Sequence, residues 1–413
     1  MKTSKLARAL LFMLLTFLVA NGIQVATLGQ VTASGSPMIS GVLAHEMTGA
    51  EAQLLANSNI TWVSCDVTFN PSDISQWSQV YSLAEKYHLN VLGILDQHLM
   101  NYSDTFTLSD WSNAVTQAVN AYGNVVKTWE IWNEPNFSNN TLGYFNGSPQ
   151  SYVTMLQTAY NDIKAIAPSD TVIGLGGMPL YDSENTTIDY YTQQALTWAG
   201  QVVQLGGMNY CNAIAVHAYP YGQYYPMIQG SLFTSNLKQY EQLCPGKPIW
   251  VTEVGQESYS TTWDATESQQ STFLQESYSL FQGLGVAAYM WYELNDNYTA
   301  IPNSNFGLFD NSGNPKEAWT TFVDAVNTVP TSTPASTATS MSPTQTPTIS
   351  PSLQHSTPPI PSQSPALTAS ASTPKPVPEE NFTFALVTCL ALSAAAVAST
   401  HLKKQRAKRH FSS

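Results

Sequence analysis

Short apolar runs rich in β-branched residues alternate with segments of helical spacing along residues 38–327. Eight runs have the length and composition of buried strands, at residues 39–46, 60–67, 89–96, 126–133, 171–177, 213–219, 248–254 and 286–292. The segments between them, such as 73–88 and 151–166, repeat apolar residues at helical intervals and predict amphipathic helices. Strands that alternate with helices form parallel βα units. Eight such units predict a closed (β/α)8 TIM barrel, for which ~250 residues plus loops are typical.

A doubly wound open sheet is the alternative fold. It would usually carry a glycine-rich phosphate loop after its first strand, and the segment AHEMTGAEA at 44–52 is not such a loop. In a TIM barrel the active site lies at the carboxyl ends of the strands. Polar or aromatic residues end seven of the eight runs, namely His45, Glu46, Asp66, Asp96, Asn133, Glu134, His217, Tyr219, Glu253 and Trp291. Their predicted convergence at one mouth indicates a functional site.

The two ends of the chain differ in composition from the barrel region. Residues 1–26 have a basic start, an apolar run and small residues, which is typical of a signal peptide, with an uncleaved anchor as the alternative. Residues 328–380 are dominated by Ser, Thr and Pro and predict a disordered stalk. Residues 382–400 are charge-free and predict a transmembrane helix rather than a buried Ala-rich one, because the basic tail at 401–413 follows on the expected cytoplasmic side.

This organisation predicts an exported catalytic domain at 38–327, anchored at the cell surface. Outside the signal and the tail the chain has no arginine, and its seven lysines stand against 28 acidic residues, a formal balance of −21. Such an acidic domain is a poor partner for nucleic acid or anionic lipid. Asn-X-Ser/Thr triplets occur along it, so an exported domain is expected to be glycosylated.

The cysteines and histidines say little about the function. Cys211 and Cys244 each precede an apolar strand, so a disulfide between them is plausible outside the cell. No His/Cys cluster has zinc-ligand spacing. We expect no metal and no cofactor, and a monomeric domain.

Two glutamates end opposite strands of the predicted barrel. Glu134 ends the fourth run and Glu253 ends the seventh, where strict alternation would turn Ile249 and Val251 to the barrel interior together with Glu253. Two carboxylates across a cleft suit glycoside hydrolysis, because one protonates the leaving oxygen while the other attacks the anomeric carbon or activates water. A separation of ~5–5.5 Å predicts retention of configuration, and ~6.5–9.5 Å predicts inversion.

Four segments carry a family resemblance. The motifs WNEPN at 132–136, VHAYP at 216–220, WVTEVG at 250–255 and YMWYE at 289–293 resemble those of clan A retaining glycoside hydrolases. Both a family 39-like and a cellulase-like family 5 assignment stay open. Family 5 usually places an arginine near the nucleophile, and residues 38–327 contain none.

The resemblance implies a role for each matching residue. Glu134 would be the general acid/base and Glu253 the nucleophile, while Asn133 would bind the sugar 2-hydroxyl. His217 and Tyr219 would position the nucleophile or the substrate, and Trp291 would form the floor on which the sugar stacks. We also expect His45 and Asp66, at the ends of early strands, to contact substrate.

The resulting hypothesis is a retaining glycosidase that hydrolyses β-linked O-glycosidic bonds of extracellular oligo- or polysaccharides. A transglycosylase that remodels surface glycans would use the same residues. A non-catalytic carbohydrate-binding protein on the same barrel is the alternative from another class. One local point needs a structural answer: Asn133 and Glu134 are adjacent, so both can line one pocket only if the strand kinks or bulges before Pro135.

Overall fold

The computed structural model describes residues 37–70, 74–137, 140–182, 186–220, 231–258, 265–296 and 305–328. The predicted signal peptide, the stalk beyond Thr328, the transmembrane segment and the basic tail lie outside the described residues. Among the helices of the described ranges, none combines the length and the apolar composition that a bilayer crossing requires.

Eight parallel strands close into a barrel in chain order, and the last strand pairs with the first. They are β1 Ile39–Leu43, β2 Trp62–Asp66, β3 Asn90–Leu95, β4 Val126–Ile131, β5 Thr171–Asp182, β6 Ala213–Pro220, β7 Ile249–Val254 and β8 Ala288–Trp291. The predicted TIM barrel is therefore confirmed. The fifth strand is longer than its predicted run, because residues 178–182 continue beside β6 as far as Asp182.

Helices follow the strands and cover the outside of the barrel. They are α1 Gly49–Asn57, α2 Ile74–Tyr87, α3 Leu108–Tyr122, α4 Pro149–Ile166, α5 Thr186–Gln204, α6 Ser231–Leu243, α7 Glu267–Gly283 and α8 Glu317–Asn327, with a 3₁₀ turn at Gly207–Tyr210. Threonine caps begin three of them: Thr48, Thr107 and Thr266 each accept a backbone N–H and form a capping box. These caps satisfy N–H groups that a helix start leaves unpaired.

A cluster of apolar side chains from several strands packs inside the barrel. Its buried members are Leu92, Ile173, Ala213, Ala215, Trp250, Ala288 and Met290. Trp250 belongs to this cluster and meets Trp62 edge to face at 5.4 Å. The expectation that Ile249 and Val251 face the interior is therefore wrong by one residue.

Candidate functional site

A sharp turn after β4 brings Glu134 to the mouth of the barrel. Strand alternation stops at Trp132, whose φ is 69°, and Glu134 itself has a φ of 46°. The Glu134 N–H donates to the Gly176 carbonyl at 2.6 Å, and the Asn140 amide donates to the carbonyls of Asn133 and Glu134, each at 3.2 Å. The strand therefore does kink before Pro135, which was the condition for both residues to line one pocket, and the adjacent Asn133 and Glu134 both remain partly exposed.

Two glycines in β5 make room for this turn and for the neighbouring histidine. A Cβ on Gly176 would lie 2.6 Å from the Trp132 carbonyl oxygen, and a Cβ on Gly177 would lie 2.1 Å from Nε2 of His217. Both glycines have positive φ, at 51° and 76°, a region that residues with a side chain rarely adopt. They lie in a segment of β5 that has extra residues relative to β6, where the pairing shifts register between Gly174 and Met178.

A bulge in β7 turns Glu253 toward the mouth. Val216 pairs with Val251, but the next residue of β6, His217, pairs with Glu253, so Thr252 is the extra residue of the bulge. The β7–β8 pairing shows the same shift between Val251 and Val254. Trp250 faces the interior, so strict alternation would turn Glu253 outward, away from the mouth. The extra residue of the bulge reverses this order, and Glu253 reaches the rim.

One buried imidazole lies between the two predicted catalytic carboxylates. His217 Nδ1 is 3.4 Å from Oε1 of Glu134 and 3.3 Å from Oε2 of Glu253. The Tyr219 hydroxyl donates to the same Glu253 oxygen at 2.6 Å. The structure therefore brings together four sequence-predicted residues from strands β4, β6 and β7.

The charges of this cluster are set by burial and mutual contact. Burial alone would lower the pKa of His217, but the carboxylates of Glu253 and Glu134 raise it to about 9. Burial raises the pKa of Glu253, and the His217 imidazolium opposes this rise. Burial and the Glu253 charge raise the pKa of Tyr219 well above its usual range, so the phenol stays a hydrogen-bond donor.

A third glutamate lies beneath the pair. Glu130 is 1% exposed and accepts a hydrogen bond from Thr252 Oγ1 at 3.1 Å. Burial raises its pKa to about 8, so it is mostly protonated at neutral pH. Its depth agrees with the interpretation that only Asn133 and Glu134 of this segment reach the rim.

The opposite side of the rim carries a chain of alternating acids and imidazoles. His45, after β1, lies 3.5 Å from Asp66 and 3.7 Å from Glu293. His98, after β3, lies 3.8 Å from Asp66 and 3.0 Å from Asp96. His45 and Asp66, predicted to contact substrate, therefore lie together at the mouth, and their substrate role stays a prediction. His98 and Glu293 were not predicted; their chain positions after β3 and β8 were the available signal.

Asp66, Asp96 and His98 are the described residues whose donor atoms have metal-ligand spacing, within 4.8 Å of one another. Both oxygens of Asp96 already lie 3.0 and 3.1 Å from His98 Nδ1, and Oδ1 also accepts the His98 backbone N–H. Tyr102 contacts the other ring nitrogen at 2.7 Å. Asp96 and His98 thus already use these atoms for contacts with each other and with Tyr102.

The aromatic floor differs from the prediction. Trp291 is 0% exposed, and its indole N–H donates to the Phe306 carbonyl at 3.0 Å. It cannot stack on a sugar, so this prediction is wrong: Met290 faces the barrel interior, and the next residue, Trp291, is therefore turned outward against Phe273 of α7. The next residue, Tyr292, is partly exposed, with its ring 6.1 Å from that of His45 and 6.2 Å from that of Tyr219.

The predicted disulfide is also wrong. Cys211 and Cys244 are both buried and both free. Burial raises their pKa values to about 11 and about 12, so both are packed as thiols. Cys211 contacts Met208 sulfur at 4.0 Å, as a small apolar side chain would.

Comparison with known proteins agrees with this geometry. The family model described as glycosyl hydrolase catalytic core matches residues 52–322, well over half of the chain. No curated protein matches the sequence.

Solved structures share the fold. A family 39 glycoside hydrolase from the gut symbiont Bacteroides cellulosilyticus has 20% identity and a TM-score of 0.51, over 70% of this chain and 63% of that one. The chain therefore spans less than two thirds of that relative. A glucosidase from Croceicoccus marinus has 13% identity and a TM-score of 0.54, over 71% of this chain and 69% of that one.

Proposed function

We propose a retaining mechanism for this chain, which belongs to the glycosyl hydrolase catalytic core family and is a clan A (β/α)8 glycoside hydrolase. Glu253 attacks the anomeric carbon while Glu134 protonates the departing glycosidic oxygen. Glu134 then removes a proton from the water that releases the sugar from Glu253, so that configuration is retained.

The observation that carries this proposal is the shared contact with His217. Two oxygens that lie 3.4 and 3.3 Å from the same nitrogen cannot be farther apart than the sum of those distances, about 6.7 Å. This limit favours direct attack by Glu253 over inversion, which needs ~6.5–9.5 Å to hold a water between the carboxyl groups.

His217 serves both steps with one N–H group. In the free enzyme the imidazolium Nδ1–H and the Tyr219 hydroxyl stabilise the Glu253 carboxylate. Once Glu253 is esterified to the sugar, its negative charge is gone and Glu134 is the carboxylate. The same N–H, 3.4 Å from Oε1 of Glu134, then stabilises the base.

The sugar in this arrangement lies between the two sides of the mouth. Tyr292 supplies an aromatic surface in place of the buried Trp291. Asn133, next to the acid/base, binds the sugar 2-hydroxyl. His45 and Asp66 bind further hydroxyl groups from the opposite side.

We place the reaction outside the cell. The signal-like residues 1–26, the Ser/Thr/Pro-rich stalk and the apolar segment 382–400 followed by a basic tail support an anchored surface enzyme. Its substrates are then β-linked oligo- or polysaccharides. Protease treatment of intact cells should remove the barrel and leave the tail inside, whereas a protected barrel would contradict the placement.

The mechanism is tested with the full-length protein and a panel of aryl β-glycosides, β-glucans, xylans and mannans. Proton NMR of the first product should show the β anomer before mutarotation. Glu253→Gln should lower kcat/KM by at least about 10⁴-fold, while Glu241→Gln, an exposed control on α6, should leave it unchanged.

Leaving-group dependence separates the two glutamates. Glu134→Gln should lose about 10²–10⁴-fold on a poor alkyl leaving group, which needs protonation. It should lose little in the first step on a dinitrophenyl glycoside, whose leaving group departs unprotonated. An α anomer as the first product, or equal losses on both leaving groups, would contradict the assignment.

A further inference from the structure

The mouth of the barrel is rich in carboxylates, and its imidazoles are already matched to them. His45 lies between Asp66 and Glu293, and His98 lies between Asp66 and Asp96. The four closest contacts are between 3.0 and 3.8 Å. Even when both rings are protonated, the three acids outnumber them.

The catalytic side repeats this pattern. His217 lies between Glu134 and Glu253, both within 3.4 Å. The two sides also act on each other, because the Asp66 charge adds to the burial that raises the pKa of Glu253. The mouth is therefore built on five carboxyl groups and three imidazoles, and each imidazole has two acidic neighbours. Asp96, Glu293 and His217 are at most 2% exposed, so they act on a bound sugar through their charge and not by direct contact.

No other cation is available to correct this imbalance. Residues 37–328, including every loop of the domain, contain no arginine and six lysines: Lys86, Lys127, Lys164, Lys238, Lys247 and Lys316. Lys127, Lys164 and Lys247 donate to carbonyls that precede strands, at the amino-terminal end of the barrel. Lys86 and Lys238 are exposed on helices α2 and α6.

Lys316 is the remaining lysine, and it is committed elsewhere. Its side chain is 2% exposed and its ammonium lies 2.9 Å from Oδ1 of Asp296. It also donates to Oδ2 of Asp296 at 3.1 Å, to Ser258 Oγ at 3.0 Å and to the Asn305 carbonyl at 3.2 Å. An ammonium with four such contacts has no donor left for a ligand.

We propose that the sugar unit bound against His45, Asp66 and His98 carries no negative charge, so that the enzyme acts on neutral glycans and rejects uronic acid, sulfated and phosphorylated units at this position. A neutral sugar hydroxyl can donate to the small accessible part of the Asp66 carboxylate, 9% of its side chain. A sugar carboxylate would instead lose its water facing acids, without an arginine or lysine to pair with it. The inference rests on the proposed glycosidase function and adds its substrate class.

Matched substrates test the inference on the full-length protein. 4-Nitrophenyl β-D-glucoside and β-D-glucuronide differ only by a hydroxymethyl and a carboxylate group, and the β-D-galactoside and β-D-galacturonide form a second pair. One protein carboxylate at ~5–6 Å from the sugar carboxylate repels it. This repulsion predicts a kcat/KM about 100-fold lower for the acidic substrate of whichever pair is cleaved. Equal or faster turnover of the acids would overturn the proposal.

A charge deletion locates the cause. Asp66→Asn should narrow the kcat/KM ratio between neutral and acidic substrate about 100-fold, because the one repelling charge counted above is removed. Glu276→Gln removes a charge from the exposed face of α7 and should leave the ratio unchanged. An unchanged ratio in Asp66→Asn would refute the role given to this side of the mouth.

A binding measurement keeps this inference separate from the catalytic one. The Glu253→Gln protein is titrated calorimetrically with cello-, xylo- and mannohexaose and with hexamers of mannuronic and galacturonic acid. If no glycoside is cleaved by the parent protein, the proposed hydrolysis fails, yet binding of the neutral hexamers alone still supports the charge selection. Binding of the acidic hexamers, or of none, overturns it.

Discussion

A methyl group added at Gly177 should lower the proposed activity without touching Glu134 or Glu253, the two proposed catalytic glutamates. The Cβ of Gly177→Ala would lie 2.1 Å from Nε2, 2.3 Å from Cε1 and 2.5 Å from Cδ2 of His217. Unstrained contacts between such atoms need about 3.5 Å. The imidazole must therefore move by about 1 Å or more, away from its present contacts with Glu134 and Glu253.

The size of the effect follows from two terms. An alanine at a φ of 76° costs about 1–2 kcal/mol in backbone strain, which lowers the free energy of unfolding. A displacement of about 1 Å in a group that orients the reacting atoms can cost about 100-fold in rate. We expect kcat/KM to fall about 100-fold on a good aryl glycoside, with kcat carrying most of the loss.

Gly246→Ala is the matched control. Gly246 has a φ of 77°, and a Cβ there would meet nothing within 4 Å. It introduces the same backbone strain without the contact with His217. Urea unfolding should show the backbone strain in both variants and a further loss of about 1–3 kcal/mol from overpacking in Gly177→Ala, while kcat/KM should fall only in Gly177→Ala. Equal activity of the two variants would refute the argument that His217 must stay between the glutamates.

Three further predictions concern the ionisable and aromatic residues around the site. Burial raises the pKa of Glu130 from 4.5 to about 8, so the native state binds this proton more tightly than the unfolded chain; the contribution to stability is complete below pH 4.5 and is lost as the pH rises to 8. Urea unfolding at pH 5 and pH 8 should therefore show about 4 kcal/mol more loss in the parent than in Glu130→Gln, and identical pH dependence would contradict the protonated state. Trp291→Phe should lower the unfolding free energy by about 1–3 kcal/mol and leave KM unchanged, whereas Tyr292→Ala should raise KM about 10-fold; the reverse pattern would restore Trp291 as the sugar platform. Lys316→Met should cost about 3–5 kcal/mol because Asp296 is left buried without its cation; adding Asp296→Leu should recover part of this loss, and a double variant less stable than the single one would count against the ion-pair explanation.

The barrel and its two catalytic candidates could be predicted because the signals for them are local in the sequence. Each strand is a short apolar run, and each run ends in a polar residue where a TIM barrel has its mouth. Glu134 and Glu253 also lie in motifs that resemble clan A glycoside hydrolases. Neither inference required a tertiary contact.

The errors arose where backbone irregularity decides orientation. The extra residue Thr252 in β7 reverses which side chains face the interior, so Trp250 is inside where alternation had put Val251. At the end of β8, Met290 faces the interior, so Trp291 is buried against α7 and Tyr292 takes the partly exposed position at the mouth. A bulge cannot be recognised reliably from the pattern of apolar residues, because its position depends on how the strand pairs with its neighbours.

The acid–imidazole chain was predicted only in part: His45, Asp66 and Asp96 were expected at the mouth, whereas His98 and Glu293 were not. Its members come from the ends of β8, β1, β2 and β3, and the contact between His45 and Glu293 exists only because the barrel closes between β8 and β1. Each residue alone looks like an ordinary polar strand end. Their joint charge becomes visible only after closure.

The most direct test of the account is to trap the covalent intermediate on Glu253. An activated 2-deoxy-2-fluoro β-glycoside, in the configuration that the substrate panel finds fastest, slows both chemical steps but keeps the first one faster, so the glycosyl-enzyme accumulates. Mass spectrometry of the digested full-length protein should find one added fluorosugar on the peptide that contains Glu253, and none on the Glu253→Gln protein. A label on Glu134, or inactivation that persists in Glu253→Gln, would contradict the proposed mechanism.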